Sequence, residues 1–209
     1  MKLISLVSSG IDSPVATYLL SKYADEIILL HVDNRPFTDD REIEKFVTLT
    51  KYLKIFIPSK LTAVLIPHGK TLQTYKIRCD NKYTCVICKR MMLRYAEAIA
   101  KKENAGAIIM GDTLGQVASQ TLRNIRVVEQ AIKLPVLRPL IGFDKEDTIQ
   151  FAKKIGTFEI SIAPAGACEA VPVKPSTQAH LERIHIEEQK INVEELIWYA
   201  ITHVETITP

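Results

Sequence analysis

The 209-residue sequence predicts a doubly wound parallel α/β sheet of about five strands with a short C-terminal helical tail. Three observations lead there. Apolar runs of strand length alternate with amphipathic runs of helix length to about residue 155, the order that builds β-α-β units. The run Ile27-Ile28-Leu29-Leu30-His31-Val32 is continuously apolar apart from its histidine, as a strand covered on both faces should be. The first apolar run also passes through a turn of small residues directly into a helix. That arrangement leaves N–H groups at the helix start facing an anion.

Each element has its own signal. Residues 3–7 form the first strand, and residues 13–23 the first helix, with Pro14 in a first turn where its missing N–H costs nothing. Residues 26–32 are the second strand. A helix follows over 40–52, with Asp39 or Asp40 near its cap. The third strand is 61–67, and a long amphipathic helix spans 86–103. A fourth strand at 107–110 leads to a helix over 115–131, and a fifth at 135–138 to a helix over 145–155. Pro164, Gly166, Pro172 and Pro175 mark an irregular segment. Residues 178–204 read as one or two helices broken near Asn192. The expected division is therefore a domain over 1–177 and an acidic helical tail over 178–209. The tail's Leu181, Ile184, Leu196, Ile197 and Trp198 suit packing on its own domain, the alternative being a second subunit's basic face.

Composition sets limits. The chain is 47% hydrophobic and 24% charged, as ordinary globular domains are. No apolar run reaches membrane-spanning length, and the chain opens straight into a strand, so a cytoplasmic protein without membrane partners is expected. Four cysteines in such a chain argue for metal or redox chemistry over a disulfide scaffold. The net charge of +3 is uneven. Residues 70–94 carry seven bases against Asp80 alone, and three of the cysteines, a composition suited to phosphate or polynucleotide or to a solvated face.

The turn itself is Ser8-Ser9-Gly10-Ile11-Asp12-Ser13. It is not a Walker A loop. Asp12 or Ser13 could simply cap the helix. The hexapeptide nevertheless resembles the PP-loop, Ser-Gly-Gly-x-Asp-Ser, of ATP pyrophosphatases, which cleave ATP between its α- and β-phosphates; Ser9 stands where that pattern has glycine. A serine is tolerated there if φ is negative and costs about 1 kcal/mol or more if φ must be positive.

A longer resemblance follows. Gly111-Asp112-Thr113-Leu114-Gly115-Gln116-Val117-Ala118-Ser119-Gln120-Thr121 is similar to the signature of tRNA 4-thiouridine synthases. So are Lys89-Arg90-Met91-Met92-Leu93-Arg94, Pro135-Val136-Leu137-Arg138-Pro139-Leu140-Ile141-Gly142 and Pro36-Phe37-Thr38. The resemblance covers about residues 1–177. It implies an adenine nucleotide alpha hydrolase-like fold of PP-loop type, without the family's THUMP, ferredoxin-like and rhodanese modules.

The resemblance also implies a site. ATP would lie against Leu6, Val7, Ser8, Ser9, Gly10, Asp12, Ser13, His31, Val32, Lys89, Gly111 and Gln120. Asp12 would help hold Mg2+ or pyrophosphate, Lys89 would meet developing phosphate charge, and Cys168 would deliver sulfur. His31 and Lys89 taken alone could equally be a core histidine and an exposed lysine, and Met91, Met92 and Tyr95 read as helix packing. By likeness to archaeal members, Cys85, Cys88 and Cys168 would hold a 4Fe-4S cluster. The cysteines alone leave open a persulfide-carrying Cys-x-x-Cys, zinc shared with Cys79, or inert thiols.

The expected activity is ATP-dependent sulfur transfer to a tRNA uridine. Its partners would be tRNA, held directly or through a separate RNA-binding subunit, and sulfide or a persulfide protein as donor; a homodimer is compatible with the resemblance. Two alternatives stand beside it: adenylation of a non-tRNA acceptor (a thiamine thiazole precursor, a carrier protein or another nucleobase), or a catalytically silent nucleotide-binding subunit.

Overall fold

The computed structural model describes residues 1–207. Its centre is a six-stranded sheet in the order β5-β4-β1-β2-β3-β6. Strands β1 (Lys2–Leu6), β2 (Glu26–Asp33), β3 (Lys60–Pro67), β4 (Ala107–Ile109) and β5 (Val136–Leu137) run parallel. These are the five strands expected. The sixth, β6 (Glu205–Ile207), comes from the tail and pairs antiparallel with β3. Three residues carry too weak an alternation to be read as a strand; only the edge of β3 makes them one.

Alternation along the strands builds two cores. Ile4, Leu6, Ile28, Leu30, Val64 and Ile66 face one side, and Leu3, Ile27, Leu29, Ala63 and Leu65 the other. The second face is covered by α1 (Asp12–Ser21), α2 (Asp40–Phe56) and α6 (Lys145–Lys154), through Val15, Ala16, Phe46, Leu53 and Ala152. The first face is covered by α3 (Gly69–Arg78), α4 (Thr84–Glu103) and α5 (Leu122–Glu129). It is also covered by α8 (Leu181–Glu188) and α9 (Val193–Thr202), which bring in Ile184, Leu196 and Ala200. The short helix α7 (Phe158–Ile162) packs beside α2 and α6.

Three departures have physical causes. Helix α3 is not read from the sequence because its cationic side chains interrupt the apolar period; only Gly69, Thr71, Leu72 and Tyr75 are buried. The helix expected over 115–131 begins only at Leu122. Gly115 has φ +78°, and the Thr121 side chain caps the later start by accepting from the Asn124 N–H. Trp198, expected to pack, is 67% exposed, whereas Ile184 and Leu196 are buried.

The tail is joined to α4 by charge as well as packing. Arg90, 1% exposed, donates to both Glu188 carboxylate oxygens at 2.8 and 2.9 Å and to the Val127 carbonyl. Arg94 binds the same carboxylate at 2.6 and 2.9 Å. Much of the basic stretch is therefore engaged within the fold. Arg90 and Arg94 are spent on the tail, Lys89 turns inward, and Lys82 pairs with Asp80.

Candidate active site

Chain order reverses at β1, whose neighbours β2 and β4 carry the chain to opposite edges. Ligands of open parallel sheets bind at the carboxyl ends of the strands beside such a point. A cavity of about 280 Å³ opens there, and Leu6, Val7, Ser8, Gly10, Asp12, Ser13, His31, Val32, Lys89, Gly111 and Gln120 all line it. Every nucleotide-binding candidate except Ser9 therefore meets in one space. Leu30, Asn34, Glu42, Met92, Met110 and Asp112 complete the lining. Met92, expected to pack only, faces the cavity.

The turn is built to present N–H groups. Asp12 and Ser13 lie inside the first turn of α1, and the helix start has no side-chain cap; the simple capping role is thus not what these residues do. Ser13 Oγ accepts from the Ser8 N–H at 2.8 Å and lies 3.1 Å from Ser8 Oγ. Gly10 does not have positive φ. Nor does Ser9, since Asn104 is the only non-glycine with positive φ among the described residues. Serine at this position is therefore unstrained. Gly111 is needed for close approach: a Cβ there would sit 2.7 Å from Ser13 Cα and N. The end of β4 thus lies directly on the start of α1.

Charge is arranged around two carboxylates. Burial raises the Asp12 pKa and nearby Asp112 adds to the rise, against Lys145. Burial also pushes Asp112 upward, but Lys89 and Arg138 outweigh it and hold it ionised. Lys89 Nζ lies 2.7 Å from Asp112 Oδ1, Arg138 Nε 3.1 Å from Oδ2, and Gln120 Nε2 donates to Oδ1 at 3.4 Å. Asp112 therefore aims Lys89 at the cavity.

His31 stacks on Phe46 at 4.6 Å, with Nδ1 2.8 Å from the Val7 carbonyl. Burial lowers its pKa, so the neutral ring donates from Nδ1 and keeps Nε2 as an acceptor. Asn34 Oδ1 and Gln120 Oε1, both on cavity-lining residues, are buried without a protein partner.

None of the thiols lines this cavity. Burial raises the Cys168 pKa, while N–H groups of Ala170 and Val171 approach the sulfur and lower it; its charged neighbours include Glu42. Burial also raises Cys85, which feels Cys168 and Lys89. Cys88 Sγ lies 3.2 Å from His68 Nε2, and burial raises its pKa strongly. Cys79 stands apart: its thiol faces the Glu187 carbonyl at 3.6 Å, and burial pushes its pKa up to about 11. This placement removes the four-thiol zinc arrangement. Among the described residues no three His, Cys, Asp or Glu side chains are disposed to hold a metal ion. Cys85, Cys88 and Cys168 nevertheless feel one another's charge and so share one locale, with the Cys88 sulfur also against His68. All four are free thiols.

Several lining residues were not singled out as site residues in the sequence. Asn34 follows β2, and Asp112 follows Gly111 at the end of β4. Position at a strand's carboxyl end is the signal that could have found both. Glu42 had none, because its place depends on how α2 folds back on the turn.

A parallel sheet with an uncapped phosphate turn at its switch point defines a PP-loop type nucleotide-binding domain. A family model described as "Thiamine biosynthesis protein (ThiI)" matches residues 1–193, and the chain belongs to that family. The match runs into the helical tail.

Relatives named "Probable tRNA sulfurtransferase" include those of Methanosarcina mazei and Methanobrevibacter smithii. The first is 39% identical over 96% of this chain and 50% of its own length. The second is 42% identical over 98% of this chain and 54% of its own length. The chain thus spans about half the length of the curated relatives it matches. A solved structure described as a 4-thiouridine synthetase–RNA complex with bound ATP superposes with a TM-score of 0.93. It is 36% identical over 99% of this chain and 55% of that one. NMN synthetase from Francisella tularensis shares the fold alone, at 16% identity and a TM-score of 0.56 over 100% of this chain and 88% of that one. Among the described residues no helix is long and apolar enough to cross a membrane.

Proposed function

We propose that this chain binds ATP in the cavity at the end of β1 and uses it to activate O4 of a tRNA uridine for replacement by sulfur, giving 4-thiouridine. One observation carries the reading. The uncapped start of α1, the Lys89–Asp112 pair, and Asn34 and Gln120, each with an unpartnered side-chain oxygen, line one space.

In this reading the N–H groups and hydroxyls of Ser8, Gly10 and Ser13 hold the phosphates. Asp12, whose ionised form burial disfavours, suits a hard cation; Mg2+ held there would offset charge on the leaving pyrophosphate. Uridine O4 attacks the α-phosphorus, pyrophosphate leaves, and the N3 proton is lost. Lys89 stabilises the developing phosphate charge. A sulfur nucleophile then adds to C4 and AMP departs with the original oxygen. If that sulfur arrives as a persulfide on Cys168, its S–S bond is broken by a thiol, and each turnover consumes one dithiol equivalent of reductant. With sulfide as donor no reductant is consumed. The N–H groups of Ala170 and Val171 suit a negative sulfur at Cys168.

The family description names thiamine biosynthesis, which keeps a thiamine thiazole precursor or a carrier protein as alternative acceptors. The test is pyrophosphate release from ATP with sulfide and each acceptor, with mass spectrometry of tRNA nucleosides. The expected result is pyrophosphate release that requires tRNA and is accompanied by 4-thiouridine. Release only with the thiazole acceptors would move the assignment to them. No release with any acceptor would favour a silent nucleotide-binding subunit.

A further inference from the structure

Ser9 occupies the one position of the phosphate turn where this chain departs from a glycine of the PP-loop pattern, and its conformation does not need glycine. It is 7% exposed, and its hydroxyl donates a short hydrogen bond to the Glu42 carboxylate in the first turn of α2. Glu42 lines the cavity beside Ser8, Gly10 and Asp12. A loose carboxylate in a cavity for a triphosphate would be a like charge at close range, where the local dielectric is low. The same end of α2 also holds the Cys168 segment. The Glu169 N–H donates to the Phe37 carbonyl at 2.9 Å, the Gly166 N–H donates to the Asp39 carboxylate, and Lys45 Nζ donates to the Ser161 and Ala163 carbonyls at 2.9 Å.

We propose that Ser9 and Glu42 form a positioning clamp that ties the phosphate turn to the helix end against which the Cys168 segment is held and keeps the Glu42 carboxylate off the phosphates. The hydroxyl does what glycine cannot: it engages a carboxylate that this chain places at the cavity. Ser9 thus acts through Glu42 and not by touching ATP. The clamp rests on ATP occupying this cavity.

Equilibrium dialysis of Ser9→Ala, Glu42→Gln and the double variant against ATP and against adenosine tests it. A hydrogen bond to a charged group sets the expected scale. Ser9→Ala should weaken ATP roughly tenfold and adenosine less than twofold, because the freed carboxylate repels phosphate and not the nucleoside. Adding Glu42→Gln to Ser9→Ala removes the charge and should recover most of that loss. Equal weakening of both ligands, or additive losses in the double variant, would overturn the clamp in favour of a purely structural serine. Wild-type protein that binds no ATP would instead sink the functional reading itself, which keeps the two failures apart.

Discussion

At the residue scale, backbone proximity decides more than side-chain type. Gly111 is needed because the end of β4 rests on the start of α1, where a Cβ would lie 2.7 Å from Ser13 Cα and N. No flexible side chain is there to move aside. Gly111→Ala should therefore cost about 1–3 kcal/mol of stability and abolish nucleotide binding, as read by thermal unfolding with and without ATP. A variant that unfolds like the wild type and is still stabilised by ATP would contradict this account. By contrast, Gly10 meets only Ser8 Oγ at 3.5 Å; alanine there should be tolerated by the fold. The sequence places both glycines in the site equally. Only the packing separates their roles.

At the scale of elements, α4 is the organising helix. It carries Cys85 and Cys88, then Lys89 toward the cavity, then Arg90 and Arg94 toward α8. Burial pushes the Glu188 pKa upward, but hydrogen bonds from the two guanidiniums outweigh it and hold the pKa down to about 2. Its folded value lies below the ordinary 4.5. The pairing thus contributes fully above about pH 4.5 and is lost as pH falls toward about 2. Glu188→Gln should destabilise the protein by roughly 3 kcal/mol at neutral pH, because Arg90 stays buried and charged. It should also flatten the acid arm of the stability curve between those pH values. Chemical denaturation across that range reads both effects, and an unchanged acid arm would refute the pairing as their source.

At the scale of the whole molecule, the tail completes one sheet and one core. β6 pairs with β3, and Ile184, Leu196 and Ala200 are buried in the core that also holds Val86, Met91 and Leu93 of α4. A chain ending at residue 177 should therefore be insoluble or unfolded, with Arg90 stripped of its partner. Circular dichroism and sedimentation of that truncation check this; a folded, monodisperse product would instead support the division into a domain over 1–177 and a tail.

The sequence by itself determined the five parallel strands and the place of the nucleotide turn. Both follow from local pattern: apolar runs long enough to be buried strands, and small residues ahead of a helix with Pro14 in its first turn. Most of the cavity lining was legible through the resemblance its motifs carry, and those lining residues that sit at the carboxyl ends of parallel strands converge whatever the loops do. Tertiary structure alone decided the rest. Glu42 reaches the cavity through the packing of α2, β6 exists only because β3 offers an edge, and Arg90 and Arg94 of the cationic run are held by a carboxylate more than ninety residues away. These are non-local contacts between residues of unremarkable type, and no short-range pattern encodes a partner that far along the chain.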